Sequence, residues 1–137
     1  MKAIAYINGT YVAKYKRCGY AGQIVMEDDV FNISGFSDDE KITKMQSIGA
    51  KIKASELTIK KAIDLGIKQL EIINNLNALE NFTKGYVTPK QKGTIDYMDF
   101  IDSIEGVIEI EMRRPEAEFE KDKLEDLKES ARKALNI

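Results

Sequence analysis

The chain has 137 residues, of which 32% are charged and 43% hydrophobic. At ~100–200 residues per domain this reads as a single domain over 1–137, long enough to bury a real core. Lys and Arg total 21 against 23 Asp and Glu, a net charge of -2, so a uniformly basic nucleic-acid coat protein is excluded and any such contact needs a local patch. The absence of histidine removes the commonest general base and metal ligand. A lone Cys18 excludes an intramolecular disulfide and a thiolate zinc site. No apolar run approaches the ~20 residues of a membrane helix. The opening MKAIAYING has no long apolar stretch of the signal-peptide kind, and the expectation is a soluble cytoplasmic domain with no cofactor.

The first third reads as strands. Lys2 to Ile7 is short and apolar and runs into Asn8-Gly9, a turn signal. Tyr20 to Met26 and Val30 to Phe36 are two further strands around the polar Glu27-Asp28-Asp29, together an antiparallel meander. The period then changes. Ile48, Ile52, Ile59 and Ile63 fall four, seven and four residues apart, one face of a helix, and Gly66 sits where a helix C-terminal glycine belongs. Gln69 to Ile73 reads as a buried strand, reached by the helical crossover that a parallel pair requires. Asn75 is placed to cap a helix over Leu76 to Phe82. Gly85 to Gly93 reads as a loop, and Thr94 as the cap of a helix with Tyr97, Phe100, Ile101 and Ile104 on its apolar side. Val107 to Met112 alternates as a last strand. Pro115 is placed to open a final helix through Phe119, Leu124, Leu127, Ala131 and Ala134. The order β-β-β-α-β-α-α-β-α predicts an α/β domain, a mixed sheet with helices packed on it.

Six segments, in order, carry a resemblance. Ala5-Tyr6-Ile7-Asn8-Gly9-Thr10-Tyr11 resembles the first-strand signature Tyr-x-Asp-Gly-Ser-Tyr of type I ribonucleases H. Cys18 to Val25 is similar to the family's second strand, and Ser47 to Gly66 to the helix that carries its glutamate. Leu70 to Asn75 resembles the fourth strand, which ends in the second aspartate. Phe82-Thr83-Lys84-Gly85-Tyr86 resembles the Trp-x-x-Gly-x-Trp segment, and Ser130 to Leu135 the C-terminal Ala-Lys-Lys-Ala-Leu ending. The resemblance implies a ribonuclease H-like fold with a five-stranded mixed sheet flanked by helices. It also implies hydrolysis of the RNA strand of an RNA–DNA hybrid by two divalent cations that carboxylates hold.

The chain departs from the family pattern at those carboxylates. Asn8 stands at the first-strand aspartate, Lys51 at the helix glutamate and Asn75 at the fourth-strand aspartate. The last aspartate falls near Lys128, with Asp126 as the alternative match and Glu125 close by. The mobile histidine found in many members is missing. Over the first three positions the charge moves by about four units toward positive, which leaves almost no ligand charge for two hard cations and only the weak amide oxygens of Asn8 and Asn75. Glu56 projects roughly 140° from Lys51 around a helix and is a poor replacement. The expectation is therefore a pseudo-enzyme without metal. Asn8, Lys51 and Asn75 read either as drifted surface and turn residues or as contacts to a nucleic-acid backbone. Lys84, Lys90 and Lys92 are further candidate phosphate contacts, and Lys14, Lys16 and Arg17 form a smaller basic run. Against these, residues 105–129 hold ten acids and five bases. That segment reads as a solvated helix face or as a contact for a basic protein. Two functions remain: a non-cleaving module for RNA–DNA hybrid or duplex, and a protein-interaction or regulatory domain on the same scaffold. An active ribonuclease H is the reading the residues oppose.

Overall fold

The computed structural model describes residues 2–86 and 88–136. Its sheet holds β1 (Lys2–Val12), β2 (Arg17–Val25), β3 (Val30–Ser37), β4 (Gln69–Ile73) and β5 (Glu109–Arg113). Its helices are α1 (Glu40–Thr43), α2 (Ser47–Asp64), α3 (Asn77–Lys84), α4 (Lys92–Ser103) and α5 (Glu118–Ala134). The strand order is β3-β2-β1-β4-β5. β1 to β3 form the expected meander, and β1, β4 and β5 run parallel. The five-stranded mixed sheet with flanking helices is thus present as the sequence implied.

The alternation of β1 divides the core. Ala3, Ala5 and Ile7 face a large cluster with Ile52, Ala54, Ile59 and Ala62 of α2, Leu79 of α3 and Tyr97 of α4. Tyr6 faces the other side, where Leu124, Leu127 and Ala131 of α5 close over Ala21 and Ile73. Small residues on α2 bring that helix close to the sheet. Tyr97 ties the three helices of the larger layer together. Its hydroxyl lies 2.8 Å from both Ser55 and Thr83, and the Thr83 hydroxyl donates to the Leu79 carbonyl at 2.8 Å. Each hydroxyl has one proton, so the chain of donation runs Ser55 to Tyr97 to Thr83 to Leu79.

Several local expectations are corrected. Asn8-Gly9 is no turn: β1 continues to Val12, pairing Asn8 with Ala21 and Gly9 with Tyr20. Gly9 is small because α2 approaches there; a Cβ would lie 2.7 Å from the Ala50 Cβ and 3.0 Å from the Lys51 nitrogen. The turn instead falls at Ala13–Tyr15, closed by Lys16 in the left-handed region at φ 48°. The short α1, capped by Asp39, has too few residues to show a period. Leu76, not Asn75, precedes α3, and Gln91, not Thr94, precedes α4. The final helix starts at Glu118, after Ala117, rather than at Pro115. There Glu120 reaches back to the backbone N–H groups of Glu116 and Ala117, so the side chain three residues into the helix decides where it begins. The last strand is shifted to Glu109–Arg113 by its register with β4. Gly66 ends α2 at φ 78° as expected. The Gly85 to Gly93 loop includes Val87, which lies outside the described residues.

Candidate functional site

Asn8 sits in mid-strand on the α5 side of β1 and is 2% exposed. Its Nδ2 donates to the Leu124 carbonyl of α5 at 2.7 Å, and its Oδ1 accepts the Gly9 N–H at 2.9 Å. A carbonyl only accepts and an N–H only donates, so the two partners fix the orientation of the amide. Asn8 is a tie between the central strand and the last helix, with both of its ends engaged. The close approach at Gly9 brings the Lys51 backbone of α2 beside Asn8.

Beyond β4 the chain turns on Asn74, whose Oδ1 accepts the Leu76 N–H at 2.9 Å. Asn75 is left pointing outward, and its Oδ1 accepts from Lys51 Nζ at 3.2 Å. The Asn74 N–H in turn donates to the Arg113 carbonyl at 3.0 Å, which carries β5 alongside and sets Arg114 next to Asn75. Arg114 donates to Asn77 Oδ1 at the start of α3. Lys128 lies one turn beyond Leu124 on α5, the turn that Asn8 holds. The four positions read from the motifs therefore meet at one end of the sheet.

The charge there is positive. Burial first, then Lys128 and Arg114, holds the Lys51 ammonium below its ordinary pKa. Among the described residues no ion pair involves Lys51, Arg114 or Lys128. Two acids of the adjoining elements, Glu71 and Glu120, are engaged by Arg113. Arg113 donates to Glu71 at 3.0 Å and to both oxygens of buried Glu120. That guanidinium, with the backbone N–H groups of Glu116 and Ala117, holds the Glu120 carboxyl at about 2.

The remaining candidates fall apart in space. Lys84 pairs with Glu80 at 2.7 Å and borders a pocket under β5 with Tyr86 and Ile110. Lys92 pairs with Asp96 at 2.7 Å. With Lys90 it joins Lys41 and Lys44 of the α1 segment around a separate pocket of about 400 Å³. The three lysines are not one cluster: Lys84 ends α3 beside the β5 pocket, whereas Lys90 and Lys92, before and at the start of α4, lie against the α1 segment. Arg17 is turned inward, donating to the Leu135 carbonyl at 2.8 Å and covering Phe36. The acidic segment is likewise divided among the turn after α4, β5, the connection to α5 and α5 itself, and Glu120 is buried. Sequence reasoning missed Arg114, Lys41 and Lys44. The adjacent Arg113-Arg114 pair was the one available signal, and only the packing shows that the two arginines face different partners.

No family model and no curated protein sequence matches the chain. Solved structures do. RNase H1 from the halophilic archaeon Halobacterium salinarum superposes with a TM-score of 0.72 at 12% identity, covering 99% of this chain and 98% of that one. The N-terminal RNase H domain of a Mycobacterium tuberculosis protein gives 0.76 at 11% identity, covering 98% and 99%. The fold is that of ribonuclease H. A third match, LC11-RNase H1 in complex with RNA/DNA hybrid, gives 0.75 at 14% identity, covering 98% and 96%.

Ribonuclease H chemistry uses two divalent cations, and the donors at this end of the sheet do not suit them. They are two amides, two ammonium groups and a guanidinium, whereas hard cations take anionic oxygens. The Asn8 oxygen faces its neighbour's N–H and the Asn75 oxygen faces an ammonium. Among the described residues no three His, Cys, Asp or Glu side chains gather where an ion could be held.

Proposed function

We propose that residues 1–137 form one ribonuclease H-like module that binds RNA–DNA hybrid or duplex and does not cleave it. The observation that carries this reading is the Asn8 tie. At the position matched to the first-strand carboxylate stands an amide whose nitrogen is bonded to Leu124 and whose oxygen is bonded to Gly9. Lys51, Asn75 and Lys128 complete a set that attracts phosphate rather than metal. LC11-RNase H1, of the same fold, is in complex with RNA/DNA hybrid, which supports a nucleic-acid ligand for this chain. The basic group Lys41, Lys44, Lys90 and Lys92 adds a second positive surface where a strand's phosphates gain from counterion release.

The test uses end-labelled RNA–DNA hybrid, DNA duplex and single strand, with purified protein at low and moderate salt and millimolar magnesium or manganese. The expected result is a mobility shift of hybrid or duplex that weakens with salt, with the RNA strand intact. Metal-dependent cleavage that disappears on substitution of a carboxylate refutes the absence of catalysis. No retention of any nucleic acid at low salt refutes the ligand and leaves the protein-interaction reading through residues 105–129.

A further inference from the structure

Three cations converge at the end of the sheet, each from a different element. Lys51 comes from α2, Arg114 follows β5 and Lys128 lies on α5. Their placement is set by the backbone: α2 abuts Gly9, the Asn74 N–H holds the Arg113 carbonyl, and Asn8 holds the Leu124 carbonyl. Five lysines, Lys41, Lys53, Lys60, Lys84 and Lys92, stand beside acids. Among the described residues, Lys51, Arg114 and Lys128 do not. Two of them meet neutral amides, Lys51 at Asn75 and Arg114 at Asn77. An ammonium carries three donors and a guanidinium five, so most of their donors remain for a ligand.

Three like charges held together repel one another; burial first, and then Lys128 and Arg114, lower the Lys51 pKa. A fixed anion relieves that repulsion. The amides of Asn75 and Asn77 orient Lys51 and Arg114 without neutralising them, an arrangement that suits an exchangeable anion better than a permanent internal ion pair. Arginine adds a planar fork that matches two oxygens of a tetrahedral oxyanion.

We propose that Lys51, Arg114 and Lys128 form a metal-independent site for one phosphate group, at the end of the sheet where the fold's relatives are expected to hold their cations. The ligand chemistry is a phosphodiester of a bound strand or a free phosphate. The first source rests on the nucleic-acid reading above; the site itself does not.

The experiment compares wild type with the double variant Lys51→Gln, Lys128→Gln, and with Lys60→Gln, Lys133→Gln, which removes equal charge elsewhere. Melting is followed in sodium phosphate and in sodium chloride of equal ionic strength. Hybrid affinity is measured across a salt series. Phosphate is expected to raise the melting temperature of wild type and of the Lys60, Lys133 control, and to leave the Lys51, Lys128 variant unmoved. Hybrid affinity of the Lys51, Lys128 variant is expected to fall roughly tenfold, with its salt slope reduced by about one. Stabilisation by phosphate without hybrid binding keeps the site and overturns the nucleic-acid source. Unchanged phosphate response and unchanged hybrid affinity in the Lys51, Lys128 variant overturn the site, while hybrid binding itself still stands on another surface. Lys51→Glu serves as a folding control. Its carboxylate pairs with Arg114 and Lys128, so the melting temperature is expected to hold or rise while the phosphate response is lost.

Discussion

Asn8→Asp exchanges one atom and tests the tie directly. The wild-type amide donates to Leu124 at 2.7 Å and is 2% exposed. A carboxylate in its place keeps an acceptor for Gly9 but turns a second oxygen on the Leu124 carbonyl, so a hydrogen bond becomes a contact between two acceptors. Loss of the buried bond costs ~1–3 kcal/mol. Attraction to Lys51, Arg114 and Lys128 offsets part of the further cost of burying charge, so the net expectation stays in that range. For a domain of this size it corresponds to a fall of ~3–12 °C in melting temperature. Urea and thermal unfolding of both proteins in EDTA measure it, and urea should show a shifted midpoint at constant slope. Magnesium at millimolar concentration should not restore the loss, because one carboxylate beside three cations cannot hold a dication. Equal stability of wild type and Asn8→Asp, or recovery of the variant by magnesium, would show that position 8 faces an open ligand site and refute the tie.

Other expectations follow from the buried polar groups. Glu120 is held at about 2, below its ordinary 4.5, chiefly by Arg113. Its contribution is therefore complete above roughly pH 5 and is lost as pH falls toward 2. Unfolding of wild type and Glu120→Gln across that range should give curves that converge in acid, with the variant ~1–3 kcal/mol less stable at neutral pH; a constant gap would exclude the ion pair as the cause. Tyr97→Phe breaks the donation chain among α2, α3 and α4 and leaves the buried Ser55 hydroxyl without its acceptor. It should cost ~1–2 kcal/mol by chemical denaturation, and a neutral result would mean that Ser55 finds another partner.

The sequence alone determined the order of the elements and the type of each main one. Ile48, Ile52, Ile59 and Ile63 mark α2 because a helix repeats every ~3.6 residues. The apolar runs of β1 to β4 show because strands alternate or are buried on both faces. It also determined the residue types at the four positions now gathered around Asn8, since a change from acid to amide or ammonium is visible without any coordinates. What it could not decide was anything that depends on approach across the chain. Asn8-Gly9 has the local chemistry of a turn, and only the contact with Ala50 shows that the glycine is there to admit a helix. Asn8 reads as a ligand, a cap or a drifted residue until the Leu124 carbonyl, 116 residues away, makes it a tie. Arg113 and Arg114 are neighbours of equal charge, yet one is neutralised by Glu71 and Glu120 and the other is left to face Lys51. Periodicity is a property of a single segment and can be read along it, whereas the partner of a charge or an amide is set by whichever segments the sheet order brings alongside.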